Sequence, residues 1–234
     1  MPGRATGLWT MALPGAELVT GPPGRQVTQE EGREMTVLGN SDLDVFPLGL
    51  GGNTFGWTSD KETSFAVLDA YQAGGGNFID TADAYSAWVP GNSGGESETI
   101  IGEWHTARGN RDSVVIATKV DRHPQFRGLA RKTVLAAADA SLTRLQTDRI
   151  DLYYVHYDDP DVPVAEAAGV FSELQKAGKI RYVGLSNFTA PRLHEWFSVA
   201  AAERYLPDRN PLASAEYGST PRLNSAATGP SASS

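Results

Sequence analysis

Ile150-Asp151-Leu152-Tyr153-Tyr154-Val155-His156 is an apolar run that ends on an ionisable side chain. Its alternate positions are apolar on both sides, so the strand it predicts needs cover on both faces. That is the situation of a parallel sheet flanked by helices. The same pattern recurs along the chain. Asn77-Phe78-Ile79 runs into Asp80, with Tyr85 five residues further on. Val114-Val115-Ile116-Ala117-Thr118 runs into Lys119, and Val183-Gly184-Leu185 runs into Ser186-Asn187. Strands are expected over residues 45–50, 77–79, 113–118, 150–155 and 180–185, with a weaker one over 212–216.

Helical patterns fill the intervals. Ser59-Asp60-Lys61-Glu62 fits a capping box with Ser59 as the cap, and Gly74-Gly75-Gly76 supplies a left-handed stop. Val134, Ala138, Leu142 and Leu145 form one apolar stripe. Ala167, Val170, Phe171 and Leu174 form a second, and Leu193, Trp196, Phe197 and Ala200 a third. Strand and helix therefore alternate, which gives the α/β class, either a doubly wound sheet or a barrel. Successive strands that each deliver a polar group at the C-terminal end favour the barrel, whose active sites lie on that rim.

The composition narrows the function classes. Twenty Lys+Arg against 28 Asp+Glu give a net charge of −8, which disfavours nucleic acid and anionic membranes as partners. With no cysteine, thiol nucleophiles and Cys-ligated metals are excluded. No apolar run approaches the ~18–20 residues of a membrane span, so the expectation is a soluble, cytoplasmic protein. Residues 1–34 carry four prolines and no sustained period, and read as a disordered or mis-started extension rather than a signal peptide. Residues 219–234 have the composition of a low-complexity tail. The patterned part is residues 35–218, and the acidity belongs to it.

The strand-end residues make chemical sense together. A tyrosine phenol, with its ordinary pKa near 10, is a weak acid at neutral pH, and a nearby ammonium favours its phenolate. Asp80 can hold Lys119 charged, and His156 can orient or relay a proton to a substrate oxygen. Asp80, Tyr85, Lys119 and His156 together suit protonation of a carbonyl oxygen as it gains negative charge. No serine or cysteine nucleophile elbow is present, and hydride from a nicotinamide cofactor would complete the reaction.

Further motifs point the same way. Val37-Leu38-Gly39, Leu48-Gly49-Leu50-Gly51-Gly52 and Phe55-Gly56 resemble the opening of bacterial aldo/keto reductases. Phe78-Ile79-Asp80-Thr81-Ala82-Asp83-Ala84-Tyr85 resembles their Asp-x4-Tyr segment. Ala117-Thr118-Lys119, Asp151 to His156, and Gly184-Leu185-Ser186-Asn187-Phe188 follow in the family's order. The resemblance implies a (β/α)8 barrel of the TIM-barrel type that uses NADPH, with NADH possible, to reduce small-molecule aldehydes and ketones. It implies Tyr85 as general acid, Lys119 and Asp80 tuning it, and His156 orienting the carbonyl. It also implies Ser186 and Asn187 on the nicotinamide carboxamide, and Gly51, Gly52 and Asn53 beside the cofactor ribose.

Two features depart from that family. The glutamine expected after the next strand is missing from Pro211 to Tyr217, and about six of the eight βα units are present. An incomplete barrel leaves open edges through which copies could associate. The alternative function is accordingly a catalytically silent, truncated barrel fragment that acts at most as a binding partner. Blander readings of single residues stand beside these. Asp80 and Lys119 would also serve as a structural ion pair. His156 with Asp158, Asp159 and Asp161 reads as a solvated acidic loop rather than a metal site. His105, His123 and His194 read as structural.

Overall fold

In the computed structural model, which describes residues 35–38, 41–202 and 213–214, six strands form one parallel sheet. The expected extension over 1–34 and the expected tail over 219–234 lie outside the described residues, as do 203–212 and 215–218. In chain order the strands are β1 Thr36–Val37, β2 Asp44–Val45, β3 Leu50–Gly51, β4 Phe78–Asp80, β5 Val115–Val120, β6 Arg122–His123, β7 Phe126–Arg127, β8 Ile150–Val155, β9 Ile180–Leu185 and β10 Ala213–Ser214. The helices are α1 Lys61–Ala73, α2 Glu96–Arg108, α3 Arg131–Arg144, α4 Val164–Lys176 and α5 Ala190–Ala202.

The main sheet runs β3-β4-β5-β8-β9-β10, so every strand lies beside the next sheet strand in the sequence. One of α1 to α5 fills each crossover. A doubly wound sheet reverses its order at a switch point, whereas a barrel never does. This sheet is therefore an arc of a (β/α)8 barrel, as expected.

The pleat sorts the side chains onto two faces with a period of two. Ile79, Ile116, Val120, Tyr153, Val155, Val183 and Leu185 join the helices in the larger apolar cluster. Val115, Ala117, Leu152 and Tyr154 point the other way and pack with Phe78 and Tyr182 into a second cluster. The antiparallel β1–β2 hairpin closes that inner cluster, burying Leu43 and Val45 against it. Burial of a Val or Leu side chain contributes about 1.5–3 kcal/mol, so the hairpin is held chiefly by these two residues.

The inner-face parity carries straight on to the site. Counting by twos from Phe78 gives Asp80; from Val115 and Ala117 it gives Lys119; from Leu152 and Tyr154 it gives His156. From Tyr182 and Gly184 it gives Ser186. Packing fixes the first half of each inner row, and the polar end of the row follows.

Three local expectations are corrected. The run over 45–50 is two separate strands, β2 and β3, because Pro47 has no N–H to donate to a ladder. The cap of α1 is Asp60, not Ser59; its carboxylate accepts from the Thr63 N–H at 2.8 Å. Aspartate caps at least as well as serine, and it stands one residue nearer the first turn. The glycine run ends α1 as expected, with Gly75 left-handed at φ 92° and Gly74 right-handed. Phe197 leaves the apolar stripe of α5 and is 41% exposed, while Trp196 beneath it is buried.

Candidate active site

Asp80 is the last residue of β4, and Lys119 lies inside β5, one strand position further than the expected end. Asp80 pairs in register with Ala117, so Lys119 stands two residues further along β5 on the same face, and its Nζ donates to Asp80 Oδ2 at 2.7 Å. The same ammonium donates to the Thr81 carbonyl at 2.7 Å and to the Tyr85 hydroxyl at 3.1 Å. All three donor positions of the ammonium are thus used, which fixes its place. Both members of the ion pair are buried. Burial pushes the Asp80 carboxyl above its ordinary value, and the Lys119 charge and hydrogen bond draw it back part of the way.

Tyr85 comes from the loop after β4, which stays on the sheet for several residues. Thr81 N–H donates to the Ala117 carbonyl at 2.8 Å and Asp83 N–H to the Lys119 carbonyl at 3.1 Å. A turn then closes from Tyr85 N–H to the Ala82 carbonyl at 3.2 Å. The next residue, Ser86, is left-handed at φ 70°, and its buried hydroxyl donates to the Phe55 carbonyl at 2.7 Å. A non-glycine residue in that region is strained unless its surroundings hold it, and this hydrogen bond does so.

His156 follows β8, and its backbone N–H donates to the Val120 carbonyl at 3.0 Å. Its ring packs edge-on against Tyr85, with centroids 6.2 Å apart. Its Nδ1 is buried and has no hydrogen-bond partner among the described residues. Burial, with the Lys119 and Arg122 charges, pushes this histidine down to about 3. The ring is therefore neutral at physiological pH.

Ser186 and Asn187 follow β9. Ser186 N–H donates to the Val155 carbonyl at 2.9 Å, and Asn187 Nδ2 donates to the His156 carbonyl at 2.9 Å and to Ser186 Oγ at 3.0 Å. Asn187 is left-handed at φ 59°, which asparagine tolerates better than most residues. At β3, the Gly52 N–H donates to the Asp80 carbonyl at 2.7 Å. A Cβ on Gly52 would come within 2.8 Å of Ser97 Oγ, so that glycine answers to packing. Gly51 and Asn53 are exposed beside it. The site thus brings together Asp80, Tyr85, Lys119 and His156, with Gly51 to Asn53 on one side and Ser186 and Asn187 on the other.

Several neighbours were not legible as site residues. Thr118, on the outer face beside Lys119, donates to the fully buried Glu98 at 2.5 Å, and Arg144 Nε donates to the other Glu98 oxygen at 2.6 Å. Asp83 is fully buried, and neither carboxyl oxygen has a hydrogen-bond partner among the described residues. Burial first, then the charge of Glu98, pushes it well above its ordinary value, against the pull of Arg144. The charge of Glu98 on the buried face of α2, among Ile101, Gly102 and His105, was the available signal. A cleft of about 690 Å³ lies over Tyr85, lined also by Ala84, Ala87, Trp88, Arg122, His156 and Tyr157. The acidic loop after His156 is tied into the structure. Asp158 takes two hydrogen bonds from Arg192 at 2.7 Å, and Asp159 accepts from the Leu129 N–H at 2.9 Å.

An arc of parallel barrel thus carries an Asp–Lys–Tyr cluster and a histidine at its C-terminal rim. The aldo/keto reductase family matches residues 47–205, and the chain belongs to that family. It is 38% identical over 185 residues to norsolorinic acid reductase B of Aspergillus parasiticus, covering 72% of this chain and 45% of that protein. It is 37% identical over 185 residues to the aldo-keto reductase YhdN of Bacillus subtilis, covering 76% and 54%. To an aryl-alcohol dehydrogenase [NADP(+)] of Phanerodontia chrysosporium it is 34% identical over 189 residues, covering 72% and 47%. The chain spans about half the length of these relatives. Among the described residues no helix is long and apolar enough to cross a membrane.

Proposed function

We propose that this site reduces aldehydes or ketones to alcohols, with Tyr85 giving the proton to the carbonyl oxygen. The observation that carries the reading is the Lys119 ammonium, held by Asp80 and donating to the Tyr85 hydroxyl at 3.1 Å. A positive charge at that atom favours the phenolate that remains after proton transfer. His156, neutral in this setting, orients the substrate by donating from Nε2 to the same carbonyl oxygen. Its buried Nδ1 has no acceptor to meet, which leaves Nε2 as the useful place for the ring proton.

A reduced nicotinamide, when bound, supplies the hydride that the carbonyl carbon accepts. The residues fit such a group. Asn187 is held by two hydrogen bonds through its Nδ2, which leaves its Oδ1, together with Ser186 Oγ, as a polar pair for a carboxamide. The exposed backbone at Gly51 and Asn53 flanks the same rim and would lie beside the ribose. NADPH is the proposed form, supported by the family and by the relative whose name carries NADP(+).

The test is NADPH binding to the purified chain by fluorescence, followed by NADPH consumption with 4-nitrobenzaldehyde. Saturable binding and aldehyde-dependent consumption support the reading. Absence of NADPH binding sinks it and leaves the chain as a silent barrel fragment.

A further inference from the structure

The cleft over Tyr85 has an uneven charge. Among the described residues its lining holds no carboxylate, its histidine is neutral, and Arg122 is its one permanent cation. Arg122 stands in β6, two residues beyond the end of β5. Its guanidinium carbon sits 4.0 Å over the Tyr157 ring, and its Nε lies 3.4 Å from Asp121 Oδ2. Asp121 is otherwise engaged, accepting from the Gly128 N–H at 2.8 Å. The terminal amino groups of Arg122 have no hydrogen-bond partner among the described residues, and the side chain is 40% exposed. A stacked guanidinium with free terminal donors is pre-organised for a carboxylate, which it takes with two parallel hydrogen bonds.

The remaining walls are flat and aromatic. Tyr85 packs on Trp88 at 6.3 Å and His156 on Tyr157 at 5.1 Å, while Trp57, outside the lining, backs Trp88 at 5.6 Å. Trp88 is about half exposed, so its face is offered to a ligand and is not spent on the core. Such walls suit a planar ring better than an aliphatic chain.

We propose that Arg122 is a specificity-determining residue of this site, and that the preferred substrates are aromatic aldehydes or ketones whose ring carries a carboxylate. The inference rests on the carbonyl-reducing reading for the word substrate, but the binding preference stands apart from turnover.

The experiment titrates the full chain with 3- and 4-carboxybenzaldehyde and with their uncharged methyl esters, following tryptophan fluorescence from Trp57 and Trp88. At least one acid binds about tenfold more tightly than its ester, the effect of a charge-assisted hydrogen-bond pair. Arg122→Gln removes the preference, and Arg122→Lys keeps part of it, with circular dichroism confirming the fold of each. Equal binding of acid and ester in both isomer pairs overturns the proposal. So does an absence of binding by any of the four. A preference that survives Arg122→Gln places the carboxylate at the Lys119–Tyr85 pair and also overturns it. NADPH consumption is read separately. Turnover without acid preference leaves the reductase reading standing and this inference lost, and selective binding without turnover does the reverse.

Discussion

The Lys119 ammonium donates to the Tyr85 hydroxyl at 3.1 Å while Asp80 holds the same nitrogen at 2.7 Å. The conjugate base of Tyr85 thereby has a cation waiting for it. Tyr85→Phe removes the transferable proton and one of the three acceptors of the Lys119 ammonium, while the ring keeps its contacts with Trp88 and His156. The expected outcome is a fall in kcat of about 10²–10⁴-fold, the usual contribution of a positioned general acid. NADPH affinity and thermal midpoint stay close to those of the parent. Steady-state kinetics beside a fluorescence titration check this, and near-parental turnover would move the proton donor elsewhere.

His156 sets a pH dependence with a definite sign. Its folded value is pushed down to about 3 from an ordinary 6.5, by burial and by the charges of Lys119 and Arg122. The unfolded chain therefore binds this proton first as pH falls. The contribution of the neutral ring is fully present above the ordinary value and is lost progressively as pH drops from there toward the folded one. His156→Asn should accordingly lose less stability than the parent between pH 7 and pH 5 in urea titrations. Proton-nitrogen NMR of the imidazole should show His156 still neutral at pH 5, and titration near 6.5 would refute the assignment.

Asp83 runs the opposite way. Burial and Glu98 push its carboxyl well above the ordinary value, so the folded state holds a proton that the unfolded state gives up. Stability from this group is intact below the unfolded value and declines as pH rises above it. Asparagine is a close neutral isostere of the protonated side chain. Asp83→Asn is expected to raise the thermal midpoint at pH 8 and to change it little at pH 4. A gain that is equal at both pH values would show that ionisation is not its cause.

The alternation of strand and helix was readable because apolar positions repeat at two spacings and turn residues separate them. Strands β8 and β9 coincide with the expected spans for that reason. Asp80, Lys119 and His156 were readable because an inner-face row, once packing fixes its first members, must place its last on the same side. What escaped is what depends on contact between distant segments. Ser86 is an ordinary serine until Phe55 accepts its hydroxyl at 2.7 Å. Glu98 is an ordinary helical acid until Arg144, from α3, and Thr118, from β5, close on it. Arg122 gains meaning only when Tyr157 lies under it. The split at Pro47 was misread because apolar content was allowed to outweigh a missing donor.

Gly102 tests which of two opposing effects governs α2. By helix propensity alone, alanine in place of a helical glycine stabilises by about 1 kcal/mol. Here the added Cβ would collide with the Arg144 carbonyl oxygen and the Leu145 backbone, where the end of α3 lies against α2. Backbone atoms cannot rotate aside as a side chain tip can, so α3 must shift. Overpacking of this kind costs about 1–3 kcal/mol, and more where the neighbour is rigid. The His105 ring already holds the Leu145 carbonyl at 2.5 Å, and Trp104 is fully buried beside it, which opposes the shift. Packing therefore wins, and Gly102→Ala is expected to destabilise by up to about 2 kcal/mol net. At this chain length the thermal midpoint falls by about 2–4 °C for each kcal/mol. Moving the end of α3 also moves Arg144, which holds Glu98 against Thr118. A midpoint at or above the parental one would show that the two helices separate freely at this contact.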